Sequence, residues 1–144
     1  MLPTEHELLI VEDNPGDFRM LQVLVHELPH APRLHHVETG QQALDFLQQR
    51  GPYRDAPRPT LILLDLNLLG HSGFELLASL KADEELRTIP VVIFTSSSSS
   101  RDVRRAYQLH ANAYVSKPSS IEDAVRVLGS LERFWLQTAT LLQP

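Results

Sequence analysis

Thr60-Leu61-Ile62-Leu63-Leu64-Asp65 sets the fold: five apolar or strand-favouring residues closed by a carboxylate. The run is too short for a helix and follows a proline-rich loop, so it reads as a buried strand. A carboxylate that leaves water at the end of such a strand needs a partner or a function. Leu8-Leu9-Ile10-Val11, followed by Glu12-Asp13, repeats the pattern. If these two strands lie side by side, three carboxylates meet at one edge of a sheet. Two carboxylates ~5 Å apart repel by roughly 3 kcal/mol at an effective dielectric of ~20. Such a cluster wants a hard cation such as Mg²⁺, or a proton.

On either side of these runs, short apolar stretches alternate with segments of helical period. Asn14-Pro15-Gly16-Asp17 forms a turn and helix cap, and Phe18, Leu21, Leu24, Val25 and Leu28 give the first helical stripe. Leu34 to Val37 is a weak strand carrying His35 and His36. Ala43, Leu44 and Leu47 mark a second helix opened by Thr39-Gly40. Gly51 to Pro59 is a loop. Gly70 to Gly73 is a turn, after which Phe74, Leu76, Leu77 and Leu80 predict a helix ending near Asp83. Ile89 to Phe94 is the strongest strand signal, β-branched and uncharged. Ser96 to Ser100 form a loop, Arg101 to Leu109 a polar helix, Ala113-Tyr114-Val115 a short strand, and Ile121 opens a long terminal helix.

Five strands alternating with five helices predict an α/β fold, a doubly wound parallel sheet covered on both faces. In such folds the ligand site lies outside the carboxyl ends of the strands. The polar residues there are Glu12-Asp13, Asp65, Thr95-Ser96 and Ser116-Lys117. They form a chemically coherent set of acids, hydroxyls and one cation.

Composition narrows the function. The 144 residues fit one domain, and the net charge of -5 gives no reason to expect nucleic acid or an anionic membrane as partner. Without cysteine, disulfides, thiolate metal sites and thiol catalysis are excluded. No apolar stretch approaches the ~20 residues of a membrane span, and Glu5, His6 and Glu7 stand where a signal sequence would be apolar. A cytoplasmic protein is the expectation.

Val11-Glu12-Asp13-Asn14, Leu63-Leu64-Asp65-Leu66-Asn67, Phe94-Thr95-Ser96 and Ser116-Lys117-Pro118 together resemble the receiver domain of two-component response regulators. That is a CheY-like, flavodoxin-like fold with strand order 2-1-3-4-5. Within the family, Glu12-Asp13-Asn14-Pro15-Gly16-Asp17, Ala56-Pro57-Arg58-Pro59 and Phe134-Trp135-Leu136 resemble single-domain regulators that partner phytochrome-type histidine kinases. The resemblance implies that residues 1–144 form one receiver, with 136–144 as a tail. It implies that Asp65 accepts a phosphoryl group from a kinase histidine. Mg²⁺ would then be held by Glu12, Asp13, Asp65 and the backbone carbonyl of Asn67. Lys117 would pair with a phosphoryl oxygen, aimed inward by a cis bond to Pro118. Thr95 would swing onto the phosphoryl group, and Tyr114 would rotate into the space it leaves. Such a protein is a phosphoacceptor rather than an enzyme, assisting its own phosphotransfer and slow dephosphorylation.

The chain departs from the family habit at Leu69, usually proline, and Ser72, usually aspartate, so the turn after Asp65 is expected to be looser. The histidines lack metal-ligand spacing and read as surface or edge residues. In the terminal helix Ile121, Ala124, Val125, Leu128, Leu131 and Trp135 are expected to face the core. Val127, Phe134, Leu136, Leu141 and Leu142 are left for a homodimer interface. The alternative to a phosphorelay protein is a phosphorylation-independent pseudo-receiver acting as a dimeric interaction module. A Mg²⁺-dependent phosphatase would want a carboxylate where Asn67 stands.

Overall fold

The computed structural model describes residues 6–68 and 70–142. Five parallel strands make the main sheet: β1 (Glu7–Val11), β2 (Arg33–Val37), β3 (Leu61–Leu64), β6 (Val91–Thr95) and β7 (Ala113–Ser116). Their order is β2-β1-β3-β6-β7. The two intervening strands, β4 (Asn67–Leu68) and β5 (His71–Ser72), form a small antiparallel ladder of their own. With that ladder set aside, the order is the predicted 2-1-3-4-5.

Strand periodicity sorts the core into two layers. Leu9, Val11, Ile62, Leu64, Val91 and Ile93 face one side, where α2 (Gly40–Leu47), α3 (Gly73–Ala82) and α4 (Ser100–Gln108) pack. Leu8, Ile10, Leu61, Leu63, Val92 and Phe94 face the other, beneath α1 (Pro15–His26) and α5 (Ile121–Leu131). The central strands are buried on both faces, so they read as unbroken apolar runs. Among the described residues, no helix is long and apolar enough to cross a membrane.

Helix starts follow their caps. The Asn14 side chain accepts from the Asp17 N–H with Pro15 in the first turn, and Thr39 and Gln42 form a capping box. Ser99 and Ser120 cap α4 and α5. The serine run is therefore a loop that ends in a helix cap.

The terminal helix differs from its expected face. Ile121 and Val125 are 68% and 52% exposed. The buried positions are Ala124, Leu128, Glu132 and Leu136, spaced four apart. A π-type segment over Glu132–Thr138 takes more residues per turn, which keeps that spacing in line past the end of α5. Glu132 sits in this stripe because its Oε1 accepts from the His30 N–H at 3.2 Å and from the Gln137 amide at 2.6 Å. Leu136, read from sequence as a dimer residue, is instead 8% exposed in the layer with Leu128. Val127 also packs half-buried against that layer, whereas Phe134 and Leu142 are exposed. Leu136, the first residue of the tail, packs on the chain's own sheet because it finds apolar surface there.

The Lys117–Pro118 bond also differs from the expected cis form. No peptide bond among the described residues is cis, so Lys117–Pro118 is trans. Lys117 reaches the site in this form, and trans is the intrinsically preferred isomer by ~0.5–1 kcal/mol.

Candidate functional site

The carboxyl ends of β1, β3, β6 and β7 bring Glu12, Asp65, Thr95 and Lys117 together. Glu12 and Asp65 are each the first residue beyond a strand, and Val11 pairs with Leu64 in register. Glu12 is 2% exposed and Asp65 5%. Glu12, Asp13 and Asp65 each offer an oxygen within 4.8 Å of the others, the only such grouping of potential metal ligands among the described residues. Three hard carboxylate oxygens at that spacing suit a hard divalent cation. The backbone of Asn67 lies beside them, its N–H donating to Asp65 Oδ1 at 3.1 Å.

Asp65 is fully engaged. Its Oδ1 also accepts from the Thr95 hydroxyl at 2.8 Å, and its Oδ2 accepts from Lys117 Nζ at 2.8 Å. Burial pushes its pKa up, but Lys117, the Asn67 N–H and the Thr95 hydroxyl together outweigh burial and hold it below the ordinary value. Asp65 is therefore ionised at neutral pH. Glu12 goes the other way. Burial, joined by the negative charge of Asp65, lifts it to about 7 although Lys117 and the Asn14 N–H oppose the rise. Identical chemistry gives opposite shifts because Asp65 gathers more donors than Glu12.

Lys117 Nζ has a third partner. It lies 2.6 Å from Glu12, 2.8 Å from Asp65 and 2.7 Å from Asp17 Oδ2. Despite the burial that disfavours its charge, these three acids raise its pKa. Asp17 was legible in sequence only as a turn residue. The signal for its further role is the Asn14 cap followed by Pro15, which fixes Asp17 in the first turn of α1 beside the strand ends.

Both switch candidates are held by hydrogen bonds. Thr95, fully buried, already donates to Asp65. Tyr114 packs against the α3 side of the core and donates its hydroxyl to the Ser97 carbonyl at 2.9 Å. Burial, above all, raises the Tyr114 pKa. Ser97 is pinned in turn, its hydroxyl donating to Asp102 Oδ2 at 2.6 Å. Ser97 and Asp102 were not singled out from sequence, since a serine run reads only as a loop.

Ser72 caps α3 by accepting from the Phe74 N–H at 3.1 Å, the task an aspartate would perform. Gly70 takes a positive φ of 76°, which suits glycine. The Gly73 N–H donates to the Leu66 carbonyl at 2.8 Å, bringing α3 against the Asp65 backbone. Leu69 lies outside the described residues. His36, read as an edge residue, stacks on Phe18 with centroids 3.6 Å apart and bonds the Glu12 carbonyl at 2.7 Å, bracing the strand end.

Comparison with known proteins agrees with this geometry. Residues 8–128 match the response regulator receiver domain. The response regulator Rcp1 of Synechocystis sp. (strain ATCC 27184 / PCC 6803 / Kazusa) is 41% identical over 134 residues, covering 93% of this chain and 91% of Rcp1. The probable methanogenesis regulatory protein FilR2 of Methanothrix harundinacea is 39% identical over 130 residues, 90% of this chain and 83% of FilR2. The phosphorylated cyanobacterial phytochrome response regulator RcpA superposes with a TM-score of 0.92 at 37% identity, covering 97% of this chain and all of RcpA. A Mn²⁺-bound form of Rcp1 superposes with a TM-score of 0.89 at 40% identity, covering 96% of this chain and 99% of that structure. With the sheet order, the strand-end cluster and these likenesses in agreement, the chain belongs to the response regulator receiver domain family and is related to the phytochrome response regulators.

Proposed function

We propose that this chain is a phosphorelay protein that takes a phosphoryl group on Asp65 from a histidine kinase and signals by a change of shape. The observation that carries the reading is the convergence on one buried carboxylate of two further acids, a buried hydroxyl and an ammonium. In the transfer, an Asp65 carboxylate oxygen attacks the phosphorus of a phosphohistidine. The O–P bond forms as the P–N bond breaks, and the imidazole nitrogen keeps the electron pair. Asp65 is ionised and buried, so it needs no general base. Lys117 is positioned to meet charge on the transferring oxygens, and Thr95 to donate a second hydrogen bond.

Glu12, Asp13, Asp65 and the Asn67 carbonyl would hold Mg²⁺, and the three-carboxylate donor set fits it. When bound, that ion neutralises negative charge shared between Asp65 and the phosphoryl group. The likeness to RcpA supports a phytochrome-type kinase as the donor. Ile121, Val125, Phe134 and Leu142 are large exposed apolar side chains of the terminal segment, and we assign them to pairing with a second copy.

The test is intact mass after incubation with acetyl phosphate, with and without Mg²⁺, beside Asp65→Ala. A Mg²⁺-dependent phosphoryl adduct absent from the variant is expected. No adduct under any condition would overturn the reading.

A further inference from the structure

We propose that Asp17 is a positioning residue for Lys117: it keeps hold of the ammonium while Glu12 and Asp65 take up the divalent cation. The inference rests on the phosphoacceptor reading above and concerns how its lysine and its metal share the same acids.

An ammonium has three donors, and here three carboxylates saturate them. Two of those carboxylates, Glu12 and Asp65, belong to the group that converges at metal-ligand spacing. Lysine and metal therefore compete for them. Asp17 stands outside that group, and its backbone is fixed independently by the Asn14 cap on its N–H at 2.9 Å. Its side chain is 39% exposed, against 2% and 6% for Glu12 and Asp65, so its charge costs less to maintain without the others. When a cation draws charge from Glu12 and Asp65, the ammonium retains a partner without leaving the site. It stays beside Asp65, where a phosphoryl group would arrive.

Without Asp17, the lysine has only the metal's own ligands to bind, and the field that attracts the cation loses a negative charge. Both effects weaken metal binding. Solvent reaches Asp17, 39% exposed, more than Lys117, 11% exposed, so the expected loss in Mg²⁺ affinity is modest, roughly fivefold, or about 1 kcal/mol.

The chain has only two lysines, Lys81 and Lys117. Lys81 Nζ donates to the Arg87 and Ile89 carbonyls and to Asn112, far from this exchange, and serves as an internal reference. In protein labelled with ¹⁵N-lysine, the Lys117 ammonium of the wild type should remain protected from solvent exchange when Mg²⁺ is added. In Asp17→Asn it should lose protection on Mg²⁺ addition while Lys81 is unchanged, and the Mg²⁺ titration midpoint should rise roughly fivefold. Asp17→Glu should restore part of both effects, which a purely helix-capping role would not require. Should Asp17→Asn fold poorly, Asp17→Ser keeps a polar first turn and is read the same way. Wild-type-like Mg²⁺ affinity and Lys117 protection in a folded variant would overturn the proposal. A wild-type chain that binds no Mg²⁺ would overturn the phosphoacceptor reading beneath it instead.

Discussion

Replacing Gly73 by alanine places a methyl group 2.3 Å from the Asp65 carbonyl oxygen and 2.6 Å from the Leu66 Cα. Both are backbone atoms, so no side-chain rotation relieves the contact. Restoring ordinary van der Waals distance requires the Asp65 backbone and the start of α3 to separate by about 1 Å. The Gly73 N–H bond to the Leu66 carbonyl resists that separation. Overpacking of this kind costs about 1–3 kcal/mol, a fall of roughly 2–12 °C in Tm for a domain of this size. The functional effect should be of similar size and read directly as a rate. A misplacement of about 1 Å in a reacting group can cost on the order of 100-fold in rate. The assay is the rate of phosphoryl adduct formation from acetyl phosphate at saturating Mg²⁺, well below the melting temperature, beside a thermal melt. Gly129→Ala is the control: its added methyl would meet only the flexible end of Arg133, at 3.6 Å. It should leave the rate unchanged and raise stability slightly, since alanine favours a helix interior over glycine. Wild-type rate and Tm in Gly73→Ala would refute the claim that α3 sets the position of Asp65.

Glu12, lifted to about 7 chiefly by burial, favours the folded state while protonated; its contribution is complete below its unfolded value of 4.5 and fades as pH rises through about 7. In chelator, Glu12→Gln should therefore gain on the wild type between pH 5 and 8, by on the order of 3 kcal/mol at most; parallel Tm–pH curves would contradict this. Leu136→Ala should cost about 2–5 kcal/mol in a urea melt because it hollows the core, whereas Phe134→Ser should change stability little and weaken the proposed dimer on gel filtration. A stable Leu136→Ala that runs as a monomer would restore Leu136 to the interface.

The sheet order was legible because the main-sheet connections carry their own start and stop signals: the Asn14 cap after β1, Thr39 and a proline-rich loop between β2 and β3, the Gly70–Gly73 turn after β3, and the serine run that caps α4 after β6. The site was legible because its acids interrupt apolar runs, as Asp65 does after Leu64. Asp17 was not, because a cap explained it adequately and its second bond depends on a residue 100 positions away. The inward face of α5 was misread for a related reason. Ile121 and Val125 are more hydrophobic than Ala124, but Ala124 lets the helix approach the sheet, and Glu132 is satisfied by hydrogen bonds that no local pattern reveals.

Thr95 and Lys117 both bond the unmodified Asp65 carboxylate, which would limit what the proposed phosphorylation could change. A ligand shifts a conformational equilibrium only by the difference in its interactions with the two states. Passing from 1:99 to 99:1 takes ~5.5 kcal/mol, and charge-assisted hydrogen bonds contribute ~1.5–3 kcal/mol each. Were both bonds new, they could supply most of that. Since both replace existing bonds to the same residue, their net contribution is smaller. On this reading the rest would come from redistributing Lys117 among Glu12, Asp17 and Asp65, and from the Tyr114–Ser97–Asp102 chain that leads from the sheet edge to α4. On the proposed phosphoacceptor reading, the expected response to phosphorylation is a partial shift, concentrated in the Ser96–Asp102 segment and starting from hydrogen bonds that Asp65 already makes.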